Sequence, residues 1–302
     1  MSIDLNRDNS FGIREIEHPV ESTRIFIRTA GRLDVDEVLI MIHGGPGLSY
    51  RYLLGLEQLV SPQLTVVNYD QRGTGRSPIL GVQGEEAQAE NFTSITYAQD
   101  LEAVRSAIAQ EKKVHILGHS WGGLVAMHYA IQYPEHVRSL LLLNSVPPTV
   151  AGLYAGFERF EARLKDFQQK GIIPTELSAD HLERLKQILP VYLSKTNPPF
   201  DLPSFADTFD HTPTVGDQTW KAMGDFDLSA QTATLKLPLH IFYGEDDPFG
   251  RAWADETRAA FSSAMIDFQM IPDCGHFGWL ECPEIFFHAL QNFLEQHKVN
   301  GY

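Results

Sequence analysis

The chain has 302 residues, 43% of them hydrophobic and 21% charged, a composition that excludes a disordered or fibrous protein. Its 24 basic and 39 acidic residues leave a net charge of −15, which disfavours nucleic acid and anionic membrane as partners and favours cationic or neutral substrates. Cys274 and Cys282 form no disulfide framework and read as reduced thiols, and the polar start MSIDLNRDNS lacks an apolar signal segment, so a cytoplasmic protein is expected.

Along the chain, short β-branched or aliphatic runs alternate with helical patterns, the signature of a mostly parallel sheet with helices on both faces. Ile13–Glu17 and Arg24–Arg28 read as an opening pair of strands. Val38–Ile42, Leu64–Tyr69, Val114–Leu117 and Ser139–Leu143 follow, and Leu239–Tyr243 and Met265–Met270 close the series. A helix is predicted from about Tyr97 to Gln110, capped by Thr96, with Leu101, Val104 and Ile108 on one face. Another starts at Trp121 and stops at Tyr133, before Pro134.

The alternation lapses from about Val146 to Ala233. Phe157, Phe160, Leu164 and Phe167 stand at helical spacing there, and a proline-rich stretch, Asn197–Pro213, follows. The expectation is an α/β core made of residues 1–145 and 234–302, with an inserted helical cap at 146–233. The cap aromatics Tyr154, Phe157, Phe160, Tyr192, Phe205, Phe209, Trp220 and Phe226 are expected mostly as cap core, some lining an apolar pocket.

Three loops carry the candidate chemistry. Gly118-His119-Ser120-Trp121-Gly122 is a GxSxG between a predicted strand and a helix, a turn that lifts the serine hydroxyl clear of the sheet. A serine needs a base, and the order expected on such a sheet is serine, acid, histidine. Asp247 follows the Leu239–Tyr243 strand as candidate acid, with neighbouring Asp246 as the alternative, and His276 follows the last strand as candidate base. His43-Gly44-Gly45-Pro46-Gly47 follows the third strand. Its Gly45 N–H and the Trp121 N–H are the candidate oxyanion donors. Gly73-Thr74-Gly75 is not a dinucleotide loop, since Pro78 takes the third glycine position, and His115 with His119 gives no zinc set. No metal or other cofactor is expected.

HGGPG, YDQRGTGRS at Tyr69–Ser77 and GHSWGG at Gly118–Gly123 together resemble the proline iminopeptidase family of α/β-hydrolase-fold serine hydrolases. The resemblance covers about residues 35–145 and resumes from 237. It implies a cofactor-free exopeptidase acting on a short peptide or small molecule through a serine acyl-enzyme. Family aminopeptidases hold the substrate's free amine with carboxylates, one of them directly after the triad aspartate. Here Pro248 stands at that position, and Val215–Asp227 offers Asp217, Asp225 and Asp227 but no glutamate. The substrate-binding candidates are therefore Gly44, Asp217 and Trp220. An esterase, lactonase or amidase on the same scaffold and a non-catalytic ligand-binding member of the fold are the alternatives. Ser120 excludes an aspartate nucleophile.

Overall fold

The computed structural model describes residues 12–20, 23–79 and 89–299. Among them lie strands β1 (Ile13–Val20), β2 (Thr23–Ala30), β3 (Glu37–Ile42), β4 (Leu64–Tyr69), β5 (Val114–His119), β6 (Val137–Leu143), β7 (Pro238–Gly244) and β8 (Met265–Ile271). They form one sheet in the order β1-β2-β4-β3-β5-β6-β7-β8. The β1–β2 and β2–β4 pairs are antiparallel, and every pairing from β4 through β3 to β8 is parallel. Helices α1 (Ser94–Ala109) and α2 (Trp121–Gln132) precede β6. Between β6 and β7 come α3 (Val150–Gln169), α4 (His181–Ile188), α5 (Leu202–Ala206), α6 (Pro213–Met223) and α7 (Ser229–Thr232). Helix α8 (Arg251–Ala260) precedes β8, and α9 (Gly278–Glu281) and α10 (Pro283–Gln296) follow it.

Residues of β3, β4 and β5 are buried without exception, as parallel strands covered on both faces must be. The two-residue period of a strand splits β3 between two cores. Val38, Ile40 and Ile42 face a cluster that includes Leu101, Val104, Leu124 and Trp253. Leu39 and Met41 face the other, with Leu53, Leu56, Leu290 and Phe293. The predicted strands are present and several are longer. β5 runs on through Gly118 and His119, which pair with Leu142 and Leu143.

The helix predicted to begin near Tyr97 begins earlier, at Ser94. Its N-cap is Thr93, whose side chain accepts from the Thr96 N–H, so Thr96 sits inside the first turn. Both cysteines are free thiols, Cys274 buried. No helix among the described residues is long and apolar enough to cross a membrane.

Side chains of the Tyr69–Ser77 segment hold the region beneath the β3 loop. Asp70 accepts from the Tyr50 and Arg76 N–H groups at 3.1 and 2.8 Å, and burial pushes its carboxyl up to about 6. Arg72 donates from Nε and Nη2 to Asp100, both at 2.6 Å, with the two side chains only 5% and 3% exposed. Burial raises the Asp100 carboxyl, and the Arg72 guanidinium opposes that rise. Removing one partner of such a pair strands the other charge. Arg72→Leu should therefore lower stability by about 3–5 kcal/mol at neutral pH in urea unfolding. Arg72→Leu/Asp100→Leu should recover more than half of the loss. A double variant as unstable as the single one would show that the stranded carboxylate is not the cause.

Candidate active site

β5 delivers Ser120 to the start of α2. Its backbone stands at φ 56°, ψ −122°, a strained conformation for a non-glycine residue. Hydrogen bonds clamp it there: the Ser120 N–H donates to Leu143 O, and Ser120 O accepts from Gly123 and Val146 N–H, each at 3.0 Å. The turn packs directly on β3. A Cβ at Gly122 would lie 2.2 Å from Ile42 O, so no larger residue fits there.

The candidate acid and base come from loops after β7 and β8, at the same edge of the sheet. His276 Nδ1 lies 2.6 Å from Asp247 Oδ2, and the two side chains are 3% and 2% exposed. Asp247 Oδ1 accepts from Phe249 N–H at 2.9 Å, and Oδ2 also accepts from Asn144 Nδ2 at 2.6 Å. Asn144 donates in addition to Gly275 O at 3.2 Å and so ties the end of β6 to both loops. Asp246, the alternative acid, is directed elsewhere: its carboxylate accepts from the Ser194 hydroxyl at 2.8 Å, and its carbonyl from Arg163 at 2.7 Å.

The loop after β3 lies against the serine. A Cβ at Gly44 would sit 3.0 Å from Ser120 Cβ. The Gly44 N–H is already engaged, donating to Tyr52 Oη at 2.5 Å. The Gly45 N–H donates to no described group, and the Trp121 N–H belongs to the first turn of α2, where amides lack an intrahelical partner. Gln71 braces both sides. Its N–H donates to His43 Nε2 at 3.0 Å, its Nε2 to His43 O at 2.7 Å, and its Oε1 accepts from Trp121 Nε1 at 3.3 Å. Burial pulls the His43 imidazole down to about 4, so it is neutral, with its proton on Nδ1 toward Gly44 O.

His119 joins the two sides of the site. Tyr52 Oη, already an acceptor from Gly44, donates to His119 Nδ1 at 2.9 Å, and His119 Nε2 donates to His276 O at 2.9 Å. Burial holds the His119 imidazole well below the usual histidine range, so it is neutral and has one donor and one acceptor. Tyr52, Gln71 and Asn144 went unnoticed in the sequence, and His119 was weighed only as a metal ligand. The signal for His119 was its place in GHSWGG. Tyr52 and Asn144 stand in no motif, and only the fold brings them here.

Ser120 and His276 line one cavity of about 260 Å³ with Gly44, Gly45 and Trp220. Tyr192 and Phe209 of the inserted segment also line it, whereas Tyr154 is 58% exposed and Phe205 is buried in core. Ser120 Oγ makes no hydrogen bond to a described residue, a looseness common before substrate arrives. Trp121 is buried beneath the serine turn with its ring against Trp220. Asp217, the expected amine ligand, is exposed on α6 and does not line the cavity.

Comparison with known proteins agrees with this geometry. A family model described as the alpha/beta hydrolase fold matches residues 37–283. The proline iminopeptidase of Thermoplasma volcanium is 28% identical over 272 residues, 86% of this chain and 89% of that protein. That of Lactobacillus helveticus is 27% identical over 300 residues, 94% and 99%. The crystal structure of Mycobacterium smegmatis proline iminopeptidase superposes with a TM-score of 0.71 at 22% identity, over 94% of this chain and 98% of that one. An esterase from Exiguobacterium antarcticum gives 0.69 at 20% identity, over 90% and 96%. A sheet of this order, a strained serine turn after its fifth strand and a family match across most of the length make this chain a member of the α/β-hydrolase fold family.

Proposed function

We propose that the chain is a serine hydrolase that cleaves an ester or amide bond of a small substrate through an acyl-enzyme on Ser120. The observation that carries this reading is the buried His276–Asp247 pair, 2.6 Å apart, whose histidine lines the same cavity as the strained Ser120. Ser120 Oγ attacks the carbonyl carbon while its proton passes to His276 Nε2. Asp247 holds the ring with Nδ1 protonated and stabilises the imidazolium. The tetrahedral oxyanion takes the Gly45 and Trp121 N–H groups. The C–O or C–N bond then breaks, and the leaving group departs with the proton from His276. Water attacks the acyl carbon as its proton passes to His276, the acyl–Oγ bond breaks, and His276 returns the proton to Ser120 Oγ as the acid leaves. Helices of residues 146–233 act as the cap, and Gly44 and Trp220 contact the substrate.

The bond class follows from the cavity. Its lining includes Leu48, Leu185, Ile188, Leu189 and Phe277, and no Asp or Glu among the described residues. A substrate ammonium would enter without a counter-charge, which is costly. This favours an esterase or amidase acting on substrates without a free amine. The second reading is an aminopeptidase of the proline iminopeptidase type, favoured by relatives of that name aligned over most of the chain, with Asp217 as its amine ligand.

A panel of short-chain p-nitrophenyl esters, prolyl p-nitroanilide and its N-acetyl form separates the two. Ester cleavage, with the acetylated anilide accepted at least as well as the free amine, is the expected result. Cleavage of the free-amine anilide alone would establish the aminopeptidase, and no turnover of any member would overturn the proposal. Within the triad, Asp247→Asn should lower kcat by about 10³-fold or more, while Asp246→Asn stays within about tenfold, measured on the best substrate of that panel. The opposite ranking would assign the acid to Asp246.

A further inference from the structure

The charged groups of the cavity have the opposite sign to the rest of the molecule. In a chain of net charge −15, the cavity lining among the described residues contains Arg184, His181 and His211 and no carboxylate. Their placement is systematic. His181, Arg184, Leu185 and Ile188 of α4 all face the cavity, one stripe at helical spacing. The acidic residue of that helix, Glu183, lies off the stripe, 3.7 Å from Lys186, which also pairs with Asp207 at 3.1 Å. Arg184 is exposed, donates from Nε to Ser178 O at 2.9 Å and has no ion pair among the described residues. The His181 and His211 rings stack with centroids 5.8 Å apart, and His211 Nδ1 is buried without a hydrogen-bond partner. Asp180, Asp210 and Asp217 lie near enough to favour the charged form of His211, against its burial. None of the three lines the cavity, and Asp180 is committed to capping α4.

We infer that the cavity binds a substrate carrying a carboxylate remote from its scissile carbonyl, read by the Arg184 guanidinium with His181 and His211 beside it. A half-ester or half-amide of a short dicarboxylic acid has this chemistry. An arginine fork accepts a carboxylate through two parallel hydrogen bonds, whereas an ammonium here would meet only cations and imidazoles. The volume of about 260 Å³ lies below the usual range for drug-sized ligands, about 300–1,000 Å³, which limits the acyl chain to a few carbons. The cavity thus reverses the preference for cationic or neutral substrates that net charge alone suggests. The inference rests on the proposed hydrolysis for its substrate but not for its binding site.

The test compares kcat/KM for mono-p-nitrophenyl glutarate and p-nitrophenyl pentanoate, acyl groups of equal length, at fixed ionic strength. The wild-type protein should prefer the glutarate ester roughly tenfold or more, and Arg184→Gln should collapse that ratio while Arg184→Lys keeps part of it. Calorimetric titration of the wild-type protein with glutarate and with pentylamine separates this site from the hydrolase reading. Glutarate binding that weakens in Arg184→Gln, without turnover of any ester, would uphold the carboxylate site and sink the hydrolase. Equal or lower kcat/KM for the glutarate ester would overturn the inference. So would an unchanged ratio in Arg184→Gln/His181→Gln, or tighter binding of pentylamine than of glutarate.

Discussion

The candidate site depends on one neutral imidazole buried in a place where a charge could not be tolerated. His119 is fully enclosed, accepts from Tyr52 through Nδ1 and donates to the His276 carbonyl through Nε2. Tyr52 in turn accepts from the Gly44 N–H. One chain of hydrogen bonds therefore runs from the loop after β3, past the serine turn, to the loop after β8. Each member is used as donor and acceptor, so the orientation of each fixes that of the next. Protonating His119 would place two donors against one acceptor and break the chain, and burial disfavours that protonation strongly. Occupation of the Gly44 N–H by Tyr52 also leaves Gly45, the next residue, as the amide free to meet a developing oxyanion.

Around this chain the sheet provides rigidity. β3, β5, β7 and β8 end at one edge, and the parallel register brings the loops that follow them together, as ligand sites of open α/β sheets require. Asn144 and Gln71 convert that proximity into fixed geometry, the first at the acid and base loops, the second between the β3 loop and Trp121. Strain at Ser120 persists because Leu143 at the end of β6, Val146 just beyond it and Gly123 in the first turn of α2 hydrogen-bond its backbone.

Much of the sheet was legible because parallel strands buried on both faces read as unbroken aliphatic runs, Val38–Ile42 and Leu140–Leu143 among them. The meeting of Ser120, Asp247 and His276 at one sheet edge was legible because strand-to-loop positions gather there and the order of residue types is constrained. Three things escaped. The start of α1 was misplaced by one turn because Thr93 and Thr96 are equally plausible caps until a hydrogen bond chooses between them. Tyr52 and Asn144 lie far in sequence from the groups they position. The sign of the cavity escaped because Arg184 and His181 are exposed residues of a short polar helix, and only the fold of the inserted segment sets them beside the serine. Asp217 differs: its position suggested a ligand, and the structure leaves it exposed on α6, outside the cavity lining.

Proline iminopeptidases among the relatives and an esterase among the superposable structures share the scaffold, and a scaffold does not choose between their bonds. Either bond class requires an activated serine at position 120. Intact-mass spectrometry after reaction with a fluorophosphonate tests that claim without any assumption about substrate. The account predicts one covalent adduct, mapped by peptide analysis to Ser120 and absent from Ser120→Ala. No adduct in the wild-type protein, or an adduct that survives in Ser120→Ala, would contradict it.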